Sequence, residues 1–525
     1  MRDFHLPGRS AVLATNGMCA TSHPLAAKAA VEMLEAGGNA VDAAIAGAVL
    51  LGFCEPQMTG LGGDCFALIA PGGDAEIVAL NGSGRAPAGL NAEDLRAAGH
   101  DTMPGGAAAV TVPGAVDAFC ALSERWGRKG LDAALAPAIR YADAGVPVAE
   151  RVAADWADAA ETLTGAARDR YLAGGAALSR GALFRAPDQA EVLRRIARDG
   201  RAAFYEGEVA ADMVASLRAA GGTHTEGDFA ATACTWGDPL STAYGDLELV
   251  EHPPNGQGPT ALLLCNILAR FDIAALDPWG AERAHLEAEA TKLAYDARDR
   301  FLADPDHTAR LQHMLTPKTA ERLAALIDPG RAMDRPSQTA GAVHRDTVYI
   351  TVVDRDRMAV SLIYSIFSSF GSGLASDRFG LLFHDRGRGF TLERGHPNEA
   401  GPGKRPMHTI IPGMLRRDGR TIMPFGVMGG AYQATGHARF VSNVGDFGLS
   451  PQAAIDAPRC FSTEGELRVE RGYPDAVKQA LADRGHRVVD PPTAIGGAQA
   501  IRIDHDTGVL EGGSDPRKDG CALGY

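Results

Sequence analysis

The hydrophobic pattern changes its period along the chain, and the changes mark out its elements. Residues 11–15 form a short apolar run that predicts a strand. Over residues 24–36, Leu25, Ala29, Met33 and Leu34 recur at helical spacing, and Gly37-Gly38 supplies the stop. Asn39 is placed to cap a second helix over residues 40–53, which is apolar nearly all round and therefore expected to be buried. A glycine loop, Thr59-Gly60-Leu61-Gly62-Gly63-Asp64, leads into a strand over residues 65–70. Residues 116–326 read as mainly helical and alanine-rich, with helices over 131–144, 191–197 and 209–219 and one long helical stretch over 260–301. Residues 329–340 are polar and turn-rich without apolar periodicity, which predicts an exposed, flexible connector reaching to about residue 346.

Beyond the connector the character turns to β. Residues 347–353 and 358–366 predict two strands joined by a hairpin at Asp354-Arg355-Asp356-Arg357. Strands near 380–383 and 409–415, helices near Phe440 and Ala453, and a strand-helix-strand unit over 466–489 follow. Runs of helices flanked by runs of strands point to an α+β layered fold rather than strict βαβ alternation. No internal repeat or low-complexity tract interrupts it.

Composition narrows the function classes. At 525 residues, length alone suggests two to four domains, and 46% apolar with 22% charged residues is an ordinary soluble composition. Glycine makes up 63 positions, or 12% against a usual share of about 7%, so turns where backbone must approach closely are expected. A net charge of −14 argues against nucleic-acid and anionic-membrane partners, both of which select cationic surfaces. The first ten residues lack a basic leader followed by an apolar stretch, and the longest apolar run, residues 43–53, is too short to span a bilayer. Eight scattered cysteines with no C-x-x-C pair indicate neither zinc nor a disulfide framework. A cytoplasmic protein with reduced thiols is the expectation. His384-Asp385 and His505-Asp506 are isolated pairs, so no metal is expected. Gly60-Leu61-Gly62-Gly63 lacks G-x-G-x-x-G spacing, so no nucleotide or other cofactor is expected either.

Thr347 opens the first strand after the connector. A threonine there is ordinary strand chemistry. If the bond between Asp346 and Thr347 is cut, however, the same residue carries a hydroxyl and a free amine, a nucleophile with its own base. Residue type alone leaves both readings open.

Motifs in series favour the second. Gly37-Gly38-Asn39-Ala40-Val41-Asp42-Ala43-Ala44, Glu55-Pro56 and Gly60-Leu61-Gly62-Gly63 come first. Thr347 with its strand and Asp354-Arg355-Asp356, Gly371-Ser372-Gly373, Lys404-Arg405-Pro406, Gly429-Gly430 and Ser514-Asp515-Pro516-Arg517 follow in order. Across almost its whole length the chain thereby resembles the γ-glutamyltranspeptidase-like N-terminal-nucleophile hydrolases. The resemblance implies a four-layer αββα sandwich made as one precursor. Self-cleavage would give a large segment, 1–346, and a small one, 347–525, intertwined in one domain, with a homo-oligomer of the processed pair left open. It implies Thr347 as nucleophile, Ser365 as a further catalytic residue, and the backbone amides of Gly429 and Gly430 as oxyanion donors. Read as sequence alone, that glycine pair is equally an ordinary tight turn.

The chain departs from the transpeptidases where they hold an amino-acid substrate. Phe367 stands at their asparagine, Arg388-Gly389 at their acidic pair, and His408-Thr409 at their serine pair. Their carboxylate-binding arginine falls near Ser83, with Arg85 displaced by two, and the stretch between Phe390 and Lys404 is short. Losing a carboxylate partner for a substrate ammonium is hard to compensate, because an unpaired buried cation is costly. Arg85, Arg386, Arg388 and His408 remain as anion partners, with solvated arginines and a structural histidine as the plain alternatives. Residues 365–373, Arg405 to Pro412 and Met428 to Gln433 resemble the amidohydrolase branch. The best match within it cleaves oxamate to oxalate and ammonia. The substrate this implies is a small carboxylate-bearing amide, contacted by Phe367, His408, Thr409 and Arg85. γ-Glutamyl transfer or glutathione hydrolysis, and acylase action on a larger amide, are the alternatives.

Overall fold

Two seven-stranded antiparallel sheets lie face to face, each covered on its outer side by helices. A computed structural model describes residues 5, 8–72, 76–333 and 347–525. One sheet runs Val12–Ala14, Leu510–Ser514, Gly497–Ile503, Arg420–Met428, Gly413–Arg417, Leu247–Glu251, Leu240–Tyr244. The other runs Cys521–Gly524, Met18–Thr21, Val348–Val353, Ala359–Ser365, Asp64–Ala70, Val78–Gly82, Thr235–Gly237. This is the four-layer αββα sandwich of the expected α+β class.

Strand alternation builds the layers. Val348, Ile350 and Val352 point outward into a core shared with the helices Pro24–Glu35 and Ala40–Cys54. Tyr349 points inward, against Phe66, Ile363, Ile410 and Met428 from both sheets. Every residue of Val348–Val353 and Ala359–Ser365 is buried, because both sheet faces are covered. Burying each such aliphatic side chain is worth about 1.5–3 kcal/mol, which fixes the register of this hairpin. Helix Ala40–Cys54 lies so close that a β-carbon on Gly47 would stand 2.4 Å from Ile350 Cδ1. On the far side, helices Gly258–Leu268, Ala281–Phe301 and Gln433–Gly445 cover Leu249, Leu415, Phe425 and Val427.

The glycine-asparagine motif near residue 39 is a helix start. Asn39 Oδ1 accepts from the amides of Val41 and Asp42, and Asp42 Oδ2 accepts from the Asn39 amide, a reciprocal cap. Asp354, in the hairpin turn, adds Oδ2 to the Ala40 amide at 3.0 Å while its Oδ1 accepts from the amides of Asp356 and Met358. The buried helix and the hairpin that Thr347 opens are therefore tied at one carboxylate.

Several expectations are corrected. The stretch 260–301 is two helices, separated by a turn in which Asp277 accepts from the amides of Trp279 and Gly280, with Pro278 between. Residues 380–383 form no strand; only an isolated bridge joins Ala375 to Leu382. The strand expected from 409 begins at Gly413, just after Pro412, which has no amide to donate to a ladder. Within the mainly helical middle, Thr235–Gly237, Leu240–Tyr244 and Leu247–Glu251 supply sheet strands that the alanine-rich pattern obscured. Most of the connector, with His344 and Asp346, lies outside the described residues. Among those described, no helix is long and apolar enough to cross a membrane.

Candidate active site

Thr347 sits at the head of Val348–Val353 and is 2% exposed. Val348 pairs with Tyr364, so the register sets Thr347 beside Ser365, the last residue of the neighbouring strand. Their hydroxyl oxygens are 3.2 Å apart. On Ser365's other flank the ladder places Asp64 directly opposite it. One strand end thus brings together two hydroxyls and a carboxylate from three strands.

Ser365 Oγ also accepts from the Phe367 amide at 2.9 Å and from Arg386 Nη2 at 3.3 Å. Phe367 holds φ at +78°, a region an aromatic residue adopts only when its surroundings enforce it. Those surroundings are specific. The Ile366 amide bonds the Met58 carbonyl, the Phe370 amide the Gln57 carbonyl, and the Ser368 amide Asp385 Oδ1. The reward for the strain is the Phe367 ring lying under the Arg386 guanidinium at 4.0 Å. Arg386 is fully buried, and its Nη1 reaches Thr409 Oγ1 at 3.2 Å. A fixed cation therefore spans the hydroxyls of Ser365 and Thr409.

Asp64 balances that cation. Its Oδ1 accepts from the amides of Gly84 and Gly114, and its Oδ2 from His408 Nε2 at 3.1 Å, with His384 Nδ1 3.8 Å away. Burial pushes this carboxyl up, but the two imidazoles and Arg386 outweigh burial and hold it below the usual carboxylate range. His408 is pushed down to about 3 by burial first and then by Arg386, so it is a neutral donor to Asp64. That assignment agrees with the Ile410 amide bonding His408 Nδ1. Asp64 is thus held ionised by His384 first and by the His408 hydrogen bond, with Arg386 adding a permanent cation.

The glycine pair approaches from the other sheet. Gly429 and Gly430, with φ of +119° and +57°, follow Arg420–Met428 and lead into the helix Gln433–Gly445. Met428 packs on Tyr349, two residues from Thr347. Gln257 Nε2 donates to both the Gly430 carbonyl at 3.0 Å and the Thr409 carbonyl at 2.7 Å, so one side-chain amide ties the glycine turn to the Thr409 segment. Amides at the start of a helix suit a developing negative charge.

Sequence-expected residues thus divide. Thr347, Ser365, Phe367 and Thr409 gather around Arg386, and His408 stands behind them on Asp64. Arg85 is placed elsewhere: its guanidinium bonds Asp304 Oδ2 at 3.1 Å and the Gly403 carbonyl, with the side chain 43% exposed. Asp64 was not singled out from sequence; its position directly after the glycine loop was the available signal. Beside the cluster opens a cavity of about 380 Å³, lined among others by Ser368, Ser369, Asp385, Arg388, Asp155 and Thr493.

A family model described as Gamma-glutamyltranspeptidase matches residues 26–525. The chain is 36% identical to a glutathione hydrolase-like proenzyme, YwrD, of Bacillus subtilis, over 98% of this chain and 99% of that one. It is 33% identical to an oxamate amidohydrolase proenzyme of Klebsiella pneumoniae, over 98% and 100%. A crystal structure of a cephalosporin acylase from Bacillus halodurans superposes with a TM-score of 0.93 at 38% identity, covering 100% of this chain and 99% of that one.

Proposed function

The chain belongs to the gamma-glutamyltranspeptidase family of hydrolases, and on that premise we propose that Thr347 is its nucleophile, freed by a cut between Asp346 and Thr347, and that its substrate is a small amide bearing a carboxylate. Oxamate is the first candidate, in keeping with the Klebsiella relative. The observation that carries this reading is Arg386, buried without exposure between the hydroxyls of Ser365 and Thr409 and stacked on Phe367. A planar guanidinium held this way is pre-organised for a carboxylate. The nearby acids are engaged: Asp64 with its donors, and Asp385 with the Ser368 amide and Arg388.

An unperturbed α-amine has a pKa of about 8, so an amine freed at Thr347 is suited to take the hydroxyl proton at physiological pH. Ser365 orients that hydroxyl. Oγ adds to the amide carbon, and the amides of Gly429 and Gly430 hold the oxyanion. Collapse returns the proton to the departing nitrogen, which leaves as ammonia or an amine. Water then attacks the threonyl ester, the amine again accepting a proton, and the carboxylate product departs.

A second reading, acylase action on a larger amide, is favoured by the cavity of about 380 Å³ beside Ser368 and Asp385, ample for a drug-sized group. Two measurements test the proposal. Intact mass should give two fragments meeting at Asp346/Thr347 for the wild type and one uncut chain for Thr347→Ala; a cut Thr347→Ala chain would exclude Thr347. Ammonia release from oxamate, a glutaryl amide and glutathione should then favour oxamate. Turnover of glutathione alone would overturn the substrate assignment, and turnover of bulky amides alone would select the acylase reading.

A further inference from the structure

Three further buried side chains converge in a way that the proposed chemistry does not use. His285 and Glu289 lie one turn apart on the helix Ala281–Phe301, and His486 follows the helix Asp475–Asp483. All three are buried, and one donor atom from each lies within 4.8 Å of the others. His285 Nδ1 is 2.7 Å from His486 Nε2, which is 4.0 Å from Glu289 Oε1. The expectation of no metal rested on the isolated pairs His384-Asp385 and His505-Asp506; His285 and His486 stand 201 residues apart and carry no local pattern.

We propose that His285, Glu289 and His486 form a binding site for a divalent transition-metal ion of the zinc type. Two imidazole nitrogens and one carboxylate oxygen suit such an ion rather than magnesium or calcium, which prefer oxygen. The tautomer is already set. His285 Nε2 lies 2.8 Å from the Asp328 carbonyl, which can only accept, so Nε2 carries the proton and Nδ1 presents its lone pair to the site. His486 Nε2 now carries the proton of the imidazole–imidazole bond; on metal binding that proton moves to its Nδ1, so neither ring need lose one. Bonds of about 2.0–2.1 Å in a tetrahedron put ligand atoms about 3.4 Å apart. The His285–His486 spacing of 2.7 Å is shorter than that value, the His486–Glu289 spacing of 4.0 Å is longer, and all three atoms lie within 4.8 Å, so a shift of up to about 1.4 Å in side-chain position closes the set.

One competitor is in place. Lys292 Nζ bonds Glu289 Oε1 at 2.7 Å and the Met333 carbonyl at 3.2 Å, while the Met333 amide bonds Glu289 Oε2. An ion must displace the ammonium from Oε1, for which Lys292, with 11% of its side chain exposed, has a route to solvent. The site joins the turn at Asp328, where the connector begins, to a segment that lies after Thr347. A bound ion would clamp the two parts of the chain.

The test is zinc binding to the full-length protein by competition with a chromophoric chelator, with thermal melting alongside. One ion per chain and a raised Tm are expected, and cobalt should give visible d–d absorption. His285→Ala and His486→Gln should weaken binding by about 100-fold or more, and Glu289→Gln measurably. Lys292→Met should tighten it. Circular dichroism identifies any variant that fails to fold, and the remaining variants then decide. Failure to retain an equimolar ion, or equal binding by the wild type and all folded ligand variants, would overturn the proposal and leave a purely structural imidazole pair.

Discussion

Gly429→Ala separates backbone strain from catalysis. At φ +119° an alanine is disfavoured, and its β-carbon would stand 2.9 Å from Gly496 Cα and 3.4 Å from Gly496 N, backbone that cannot rotate away. Gly496 has no slack of its own, since a β-carbon on it would meet the Met428 carbonyl at 2.4 Å. The left-handed conformation costs alanine about 1–2 kcal/mol. Relief of the clash must then rotate or shift the peptide units of residues 428–430, which carry the proposed oxyanion donors. Losing one such donor costs about 10²–10³ in kcat, or about 2.7–4 kcal/mol at the transition state. Gly448→Ala is the control: φ is +61° there, but nothing lies within 4 Å of the added carbon. It should pay a similar strain and keep its activity. The assay is kcat and KM for ammonia release by processed protein, with urea melts of both variants. Gly429→Ala should lose kcat at nearly unchanged KM. If it is folded and turns over within threefold of Gly448→Ala, the glycine pair does not hold the oxyanion.

Arg386→Met should raise KM for a carboxylate amide and destabilise the fold by about 3 kcal/mol, because the buried Asp64 carboxylate loses its permanent cation; Arg386→Lys should keep most stability while raising KM about tenfold, as the stack on Phe367 and the two-armed contact are lost. An unchanged KM in both, by steady-state kinetics, would remove Arg386 from substrate binding. Glu55 gives a pH signature. Burial raises its carboxyl from 4.5 to about 7, with the Ser22 hydroxyl and Lys518 opposing. The folded state therefore keeps a proton that the unfolded chain has released, and stability is full below about pH 4.5 and falls as pH rises to about 7, by at most about 3 kcal/mol. Glu55→Gln should flatten that slope in urea melts at successive pH values; an unchanged slope would contradict the assignment.

Local periodicity made the outer helices and the central hairpin legible. Helices Pro24–Glu35 and Ala40–Cys54 and strands Val348–Val353 and Ala359–Ser365 fall within a residue or two of expectation, since each pairs a clear apolar period with its own start or stop. Val78–Gly82, Gly497–Ile503 and Leu510–Ser514 were not expected, because short strands rich in alanine and glycine are held by their neighbours rather than by propensity. The site follows the same rule. Thr347 and Gly429-Gly430 were marked by motif, whereas the placement of Arg85 on Asp304, and of Asp64 opposite Ser365, depends on contacts between distant segments. Arg386 and Arg85 have the same chemistry in sequence; only packing distinguishes a buried cation from a half-exposed one.

Strand order carries a consequence for the protein's lifetime. Val348–Val353 lies between Met18–Thr21 on one side and its hairpin partner on the other, and in both sheets strands from before and after residue 347 are interleaved. While the chain is whole, unfolding and refolding are unimolecular. Once it is cut, the same fold has two covalently separate chains, neither of which contains a complete sheet. Refolding then becomes an encounter between partners, and each tenfold dilution costs the assembled state about 1.4 kcal/mol. Cutting would make folding a one-time event: the precursor finds the structure, and the processed enzyme lasts only as long as it never has to find it again.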